Sequence, residues 1–128
     1  MIKVFVFGNQ DLKEDNLPIR ILPELRKIFP NIEFEVKDPN EELGDVYTDV
    51  ITLVITVIDT VIGIKDVEVF DDLEKFAAAP RVGMHDFDAL TNLRYLQKLG
   101  KIKKVRVIGV PQEMDEKKAI KKISAALR

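Results

Sequence analysis

The chain of 128 residues has no cysteine, no tryptophan, one histidine and one serine. Without cysteine there is no thiol nucleophile, disulfide, zinc finger or iron–sulfur cluster. A zinc site with three histidine ligands is also excluded, because His85 is the only imidazole. The one serine, Ser124, lies in a C-terminal segment rich in lysine and alanine, which is a poor setting for a nucleophile. An active site in this chain must therefore be built from carboxylates and one imidazole.

Other function classes are disfavoured by composition. Gly8 stands alone, so neither glycine-rich nucleotide-binding fingerprint is present, and a net charge of -2 gives no reason to expect nucleic acid as a partner. The apolar stretch 50–64 is interrupted by Asp59 and is too short to cross a bilayer. No secretory signal is visible, and no long apolar patch demands a dimer. We expect one domain over residues 1–128, cytoplasmic and monomeric, without membrane insertion.

The hydrophobic pattern predicts five strands. Residues 2–7 and 51–58 are continuous apolar runs typical of buried strands, and the second run is the central one. Residues 32–36 alternate between apolar and charged, which indicates a more exposed strand, and 105–110 form the last strand. The short strand 67–70 follows a link too tight for a helical crossover, so it should run antiparallel to its neighbour.

Helical spacing of apolar residues predicts helices over 17–29, 86–99 and 115–128, with a short one over 41–49. Asn16 can cap the first helix, and Pro23 should kink it or delay its regular start. The expected fold is a three-layer α/β/α sandwich with a mixed, mostly parallel five-stranded sheet and one antiparallel strand. Right-handed crossovers give the order 2-1-3 for the first three strands.

Three side chains should meet at one end of this sheet, where α/β folds bind ligands: Asp15, Asp59 and His85. Each has a simpler structural interpretation. Asp15 can stabilise a helix N-terminus electrostatically, Asp59 can cap or brace a turn, and His85 can be a surface or capping residue. Together, two carboxylates and one imidazole are a suitable ligand set for a divalent transition metal with open positions.

Four segments, taken in order, carry a family resemblance. They are Gly8-Asn9 with Leu12 and the acidic pair Glu14-Asp15; Val57-Ile58-Asp59-Thr60; Gly83-Met84-His85-Asp86 before a leucine-rich segment; and Gly109-Val110-Pro111-Gln112-Glu113. In this order and spacing the chain resembles, almost end to end, the hydrogenase maturation proteases. These are endopeptidases that trim the large subunits of NiFe-hydrogenases.

The resemblance implies that Asp15, Asp59 and His85 bind metal. In the family this triad senses nickel already installed in the large-subunit precursor, and the protease then removes a C-terminal tail. Nickel is therefore carried by the substrate, and no organic cofactor is implied. Asp15 and His85 are the implied catalytic residues; a metal acting as a Lewis acid, with a carboxylate handling a proton, is a reasonable chemistry. Gly8, Asn9 and Asp38 are expected to contact the substrate.

The sequence departs from the family pattern in its loops. After the acidic pair, the family has Gly-x-Gly, whereas this chain has Asn16-Leu17-Pro18. After the second strand, the family has an Asp-Gly-Gly-Thr-like turn, whereas this chain has Asp38-Pro39-Asn40-Glu41. The loops around residues 71–80 are also short. The lost glycines leave a second hypothesis open, a non-catalytic factor of the same fold that binds metal or the precursor without cutting. A third hypothesis is a flavodoxin-like binding or signalling domain. The colour of a bound cofactor, or phosphotransfer activity, would support it.

Overall fold

The computed structural model describes residues 2–7, 16–37, 52–61, 63–71 and 102–128. The strands are β1 (Ile2–Phe7), β2 (Ile32–Lys37), β3 (Thr52–Thr60), β4 (Glu68–Phe70) and β5 (Ile102–Val110). The helices of these ranges are α1 (Leu17–Arg20), α2 (Leu22–Ile28) and α3 (Glu116–Leu127). The helices expected over 41–49 and 86–99 lie outside the described residues. Within these ranges, no helix has both the length and the apolar composition needed to cross a bilayer.

The five strands form one sheet in the order β2-β1-β3-β5-β4. All neighbouring pairs are parallel except β4 and β5. The mixed, mostly parallel sheet, the order 2-1-3 and the central place of β3 are therefore confirmed. The antiparallel strand is also confirmed, although its partner is β5, which separates it in the sheet from β3, the strand it follows in sequence. Because β1, β2, β3 and β5 run in the same direction, their carboxyl ends lie along one edge of the sheet.

All three described helices pack on one face of the sheet, which we call the helix face. Its strand residues are Val4, Val6, Phe34, Ile58, Ile108 and Val110, and they form one buried cluster with Leu17, Ile21, Leu22, Leu25, Ala119 and Ile123 of the helical segments. These strand positions follow the two-residue period of a pleated strand. The helix face is therefore the main described core.

The opposite face is buried as well, and we call it the Asp59 face. Its strand residues are Phe5, Phe7, Val57, Asp59, Phe70, Val105, Val107 and Gly109, as the strand registers assign them. Phe5, Phe7, Val57, Val105 and Val107 are each at most 2% exposed. Burial on both faces explains why β1, β3 and β5 are apolar along most of their length rather than alternating with polar residues.

The first helical segment is broken, as Pro23 predicts. The chain leaves the helix at Ile21, and α2 begins at Leu22 with Pro23 in its first turn. Proline has no backbone N–H, so an uninterrupted helix would lose a hydrogen bond there. Asn16 occupies the N-cap position of α1, but its side chain caps no backbone N–H and accepts a hydrogen bond from Arg20 Nε at 2.9 Å instead. The expectation that Asn16 caps the helix is therefore confirmed for its position and wrong for its side chain.

The C-terminal helix is amphipathic, as its sequence predicts. Asp115 is its N-cap, and the carboxylate accepts a hydrogen bond from the Lys118 backbone N–H at 3.1 Å. Ile123 is fully buried against the sheet, whereas Lys117 and Lys121 are exposed. Ser124 is 5% exposed, so its hydroxyl is inaccessible to substrate and is no candidate nucleophile.

Gly109 in β5 has a steric reason to be glycine. A Cβ atom at this position would stand 2.9 Å from Phe70 Cε2 and 3.0 Å from Val61 Cγ2. Real Cβ atoms essentially never come this close to another carbon, so any side chain here would displace two buried neighbours. The close approach arises because the segment after β3 passes over the end of β5 before β4 pairs with it from the far side.

Replacing Gly109 by alanine should destabilise the fold. We expect the free energy of unfolding to fall by about 1–3 kcal/mol, because the added methyl group overpacks the contact with Phe70 and Val61. Urea denaturation followed by circular dichroism measures this change. Val69→Ala is the control. Val69 is 39% exposed on β4, the edge strand that carries Phe70, so truncating its side chain should lower the free energy of unfolding much less.

The double variant Gly109→Ala/Phe70→Leu identifies the cause. If the clash with the ring is responsible, the two substitutions should not be additive, and the double variant should lose less stability than the sum of the single losses. A Gly109→Ala protein as stable as the parent would contradict this account.

Candidate functional site

Asp59 is the one charged residue of the described chain with a fully buried side chain. It is 5% exposed, and it lies near the carboxyl end of β3, the central strand. The strand does not stop at Asp59, as the sequence suggested, but continues through Thr60. Aspartate is almost never fully buried unless it is paired, so a carboxylate placed here marks a candidate site.

Apolar side chains are the neighbours of Asp59 on its face of the sheet in the part of the chain that the structure describes. Val57 precedes it on the same face, and both are buried. On one side, the β1–β3 register continued by one residue sets Phe7 beside Asp59. On the other side, Gly109 of β5 is its register partner, and the Phe70 ring and Val61 fill the space that a side chain of Gly109 would take. Among the described residues, the neighbours of Asp59 on its face of the sheet are thus apolar, at the edge where the parallel strands end.

Thr60 is not one of these neighbours, although it is the next polar residue. Successive side chains of a strand point to opposite faces, so Thr60 lies on the helix face. Its hydroxyl is buried and has no hydrogen-bond partner. Asp59 and Thr60 therefore cannot act together as adjacent ligands of one ion.

The segment from Val61 to Val67 connects this site to the edge strand and is fixed at several points. The Val61 N–H donates to the Val110 carbonyl oxygen at 2.9 Å, which prolongs the β3–β5 pairing. Gly63 turns the chain with φ of 91°, a conformation that glycine adopts readily. Asp66 Oδ1 accepts a hydrogen bond from the Val67 N–H at 2.8 Å, and Lys122 Nζ of α3 donates to Asp66 Oδ2.

The Lys122 ammonium holds the pKa of Asp66 below its ordinary value of 3.8, and the Val67 N–H acts in the same direction. Both favour the ionised carboxylate. The pair joins the connecting segment to the C-terminal helix, which are far apart in sequence. It therefore stabilises the stretch of chain that follows Asp59.

Of the residues predicted for the site, the structure places Asp59 alone. Asp15, His85, Gly8, Asn9 and Asp38 lie outside the described residues, so the metal triad and the substrate contacts stay predictions. Within the described ranges, no three acidic or histidine side chains come together as a metal site. The described strands agree with the predicted arrangement in one respect: β1 and β2 end at Phe7 and Lys37, at the same edge of the sheet as Asp59.

Sequence reasoning missed the neighbours of Asp59. Phe70 was predicted only as part of a short strand, and Gly109 only as part of the last strand and of a family-like segment. The contact between them joins two strands that are over thirty residues apart in sequence. A lone glycine inside a strand is the one local signal, since it often marks the close approach of another chain segment.

Solved structures with this fold include hydrogenase maturation proteases. The NiFe hydrogenase maturation protease HybD from Thermococcus kodakarensis is 21% identical, with a TM-score of 0.67 over 99% of each chain. The hydrogenase maturating endopeptidase HybD from Escherichia coli is 19% identical, with a TM-score of 0.68 over 100% of this chain and 93% of its own. An uncharacterized protein from Wolinella succinogenes is 16% identical, with a TM-score of 0.60 over 99% of each chain.

No protein-family model matches the sequence, and no curated protein gives a significant match. At identities of 16–21%, the structural likeness establishes the fold. It confirms the expected α/β architecture and the resemblance to hydrogenase maturation proteases at that level.

The Asp66–Lys122 pair should make stability depend on pH in acid. Because the folded pKa of Asp66 lies below its unfolded value, the contribution is present above about pH 4 and is lost as the pH falls through the folded pKa. Asp66→Asn should therefore lower the melting temperature at pH 7, and its difference from the parent should shrink as the pH falls below about 4. Thermal melts at several pH values measure this.

Glu24→Gln is the matched control, because Glu24 forms an exposed ion pair with Lys27 within one helix and connects no distant segments. Added salt should reduce the effect of Asp66→Asn at pH 7, since the pair is partly exposed to solvent. A difference that stays constant from pH 7 to pH 2 would show that the carboxylate charge is not the cause.

Proposed function

We propose that this protein is an endopeptidase that removes the C-terminal tail of a NiFe-hydrogenase large-subunit precursor after nickel insertion. The observation that carries the proposal is Asp59, a carboxylate buried at the carboxyl end of the central strand. The fold supports it, because solved structures sharing this sheet over nearly the whole chain include two hydrogenase maturation proteases named HybD. The ordered motifs of the sequence support it independently of the structure.

Asp59 supplies an oxygen ligand for nickel carried by the precursor. Carboxylate and imidazole groups both bind divalent transition metals, and a set of two carboxylates and one histidine leaves positions open for the substrate's own ligands. The other members of the set are Asp15, which follows β1, and His85, the only imidazole in the chain. The low number of protein ligands fits an ion that arrives with the substrate rather than one that resides in the enzyme.

The burial of Asp59 is compatible with a role in binding. A buried carboxylate loses its hydration, and that loss must be offset by hydrogen-bond donors or by a cation. A nickel ion approaching from the edge of the sheet would give this carboxylate a charged partner in a medium of low polarity, where the attraction is strong.

In the proposed reaction, Asp15, Asp59 and His85 would hold the nickel carried by the precursor, and that ion would supply Lewis-acid polarisation of the scissile carbonyl or of an attacking water. Asp15 and His85 are the candidates for moving the proton, since they are the remaining titratable members of the set. Gly8, Asn9 and Asp38 would contact the precursor beside them. The protein would act as a monomer in the cytoplasm, where the precursor is made, and needs neither nucleic acid nor membrane insertion for this role.

Substitution of Asp59 tests the proposal on the one predicted ligand that the structure places. Asp59→Asn keeps the shape of the side chain and removes its charge, so it should lower the rate of processing of nickel-loaded precursor by at least about 100-fold. The rate is measured from the intact mass of the precursor over time, with circular dichroism to show that the variant is folded. Asp15→Ala and His85→Ala should lose activity in the same way.

Glu24→Gln is the control for the loss of a carboxylate, because Glu24 is exposed on α2 and pairs with Lys27 of the same helix. This variant should process the precursor at the parental rate. Full processing by Asp59→Asn or by His85→Ala would contradict the metal triad.

A further inference from the structure

Arg20 is the first cation of the helical segment 17–28, and the proposed reaction gives it no role. We propose that Arg20 is a substrate-binding residue, which recognises a carboxylate on the C-terminal tail of the precursor. This inference deepens the proposed function and rests on it, because it takes the precursor as the substrate.

Arg20 lies on a short helix that is packed firmly on the sheet. α1 contacts β1 and β3, the strand that carries Asp59. The Ile32 N–H donates to the Phe29 carbonyl oxygen at 3.1 Å, so the end of α2 lies at the amino end of β2. The segment therefore begins at the opposite edge of the sheet, where the parallel strands end. Leu17 is fully buried and Arg20 is exposed, so α1 presents Arg20 to solvent from a fixed support.

A hydrogen bond turns the Arg20 side chain back towards the start of α1. Asn16 Oδ1 accepts this bond from Arg20 Nε at 2.9 Å. Asn16 precedes Arg20 by about one helical turn, so the guanidinium is drawn towards the edge of the sheet at which Asp59 lies. Asparagine is among the best N-cap residues, yet the Asn16 side chain makes no cap hydrogen bond. It orients a cation instead of completing the helix.

The contact with Asn16 uses Nε and leaves the two terminal nitrogens of the guanidinium, Nη1 and Nη2, for a ligand. These two groups form a planar fork that matches the two oxygens of a carboxylate. Within the described chain no acidic side chain neutralises this fork, because the first turn of α1 has no acidic residue and the described ion pairs are formed by other residues. A polypeptide substrate offers carboxylates at its acidic side chains and at its C-terminus, so a carboxylate of the precursor is the ligand that fits.

Processing kinetics separate binding of the tail from the chemistry. We expect Arg20→Gln to raise the KM for nickel-loaded precursor about tenfold and to leave kcat within about twofold of the parent, because a charge-assisted contact to the substrate is lost while the catalytic residues are unchanged. Arg20→Lys keeps the charge without the fork, so it should restore only part of the loss. Asn16→Ala should raise KM by a smaller factor, and it should add nothing in the Arg20→Gln background.

Two comparisons assign the effect to a carboxylate of the tail. Lys27→Gln removes a cation from the far end of the same helical segment, where Lys27 is exposed and paired with Glu24, and it should leave KM unchanged. A precursor amidated at its C-terminus tests the terminal carboxylate, and a precursor with amides in place of the acidic side chains of its tail tests those. The precursor that lacks the recognised carboxylate should have the same KM with the parent and with Arg20→Gln.

The outcomes distinguish this inference from the function on which it rests. If the parent cuts the loaded precursor and Arg20→Gln has the parental KM, Arg20 has no binding role, and the proposed function stands. An Arg20→Gln effect that is the same on both modified precursors as on the unmodified one would also overturn the inference, because no carboxylate would then be recognised.

Binding of the precursor supplies the test if no cleavage occurs. A parent that binds the precursor without cutting it contradicts the proposed function, and a dissociation constant about tenfold higher for Arg20→Gln than for the parent would still support the role of Arg20. Equal dissociation constants would overturn that role. A parent that neither cuts nor binds the precursor overturns both.

Discussion

The structure depends on the parallel pairing of the central strand β3 with β1 on one side and β5 on the other. That pairing makes β3 the central strand, whose residues 57–60 are buried on both faces, and it brings the carboxyl ends of neighbouring strands to one edge. The chain interrupts this apolar strand with Asp59, at the point where the strands end. A carboxylate buried in the central strand must have its lost hydration offset by hydrogen bonds or by a charged partner, which makes Asp59 the first candidate for a functional residue among the described side chains.

The features around Asp59 follow from how the chain reaches the edge of the sheet. After β3 it must pass the end of β5 to form β4, and this is possible because Gly109 leaves room for Val61 and Phe70. The turn at Gly63 and the Asp66–Lys122 pair then fix the connection to α3. This one crossing thus requires a glycine, places an aromatic ring over the residue paired with Asp59, and joins the connecting segment to the C-terminal helix.

Much of the fold could be predicted from local patterns, whereas contacts between distant segments could not. Continuous β-branched runs identified β1 and β3, alternation identified β2, and Pro23 identified the helix break, because each is a property of a few adjacent residues. The partner of β4 was not predictable from its short link, since the link spans β5, and the Gly109–Phe70 contact has no sequence period. Asn16 could be placed at a helix start, but its side chain accepts a hydrogen bond from Arg20 rather than from the backbone, and this competition is not visible in the sequence.

For the site, Asp59 could be identified because it is a charged residue within an apolar run. The roles of Asp15, His85, Gly8, Asn9 and Asp38 come from the family resemblance and stay predictions.

The central claim is that this protein cuts a large-subunit precursor in response to nickel. Its most direct test is the intact mass of a NiFe-hydrogenase large-subunit precursor after incubation with the protein, in parallel nickel-loaded and nickel-free samples. The account predicts that a C-terminal fragment is lost from the nickel-loaded precursor and that the nickel-free precursor keeps its mass. Binding of the loaded precursor without any change in mass would contradict it and indicate a non-catalytic maturation factor of the same fold.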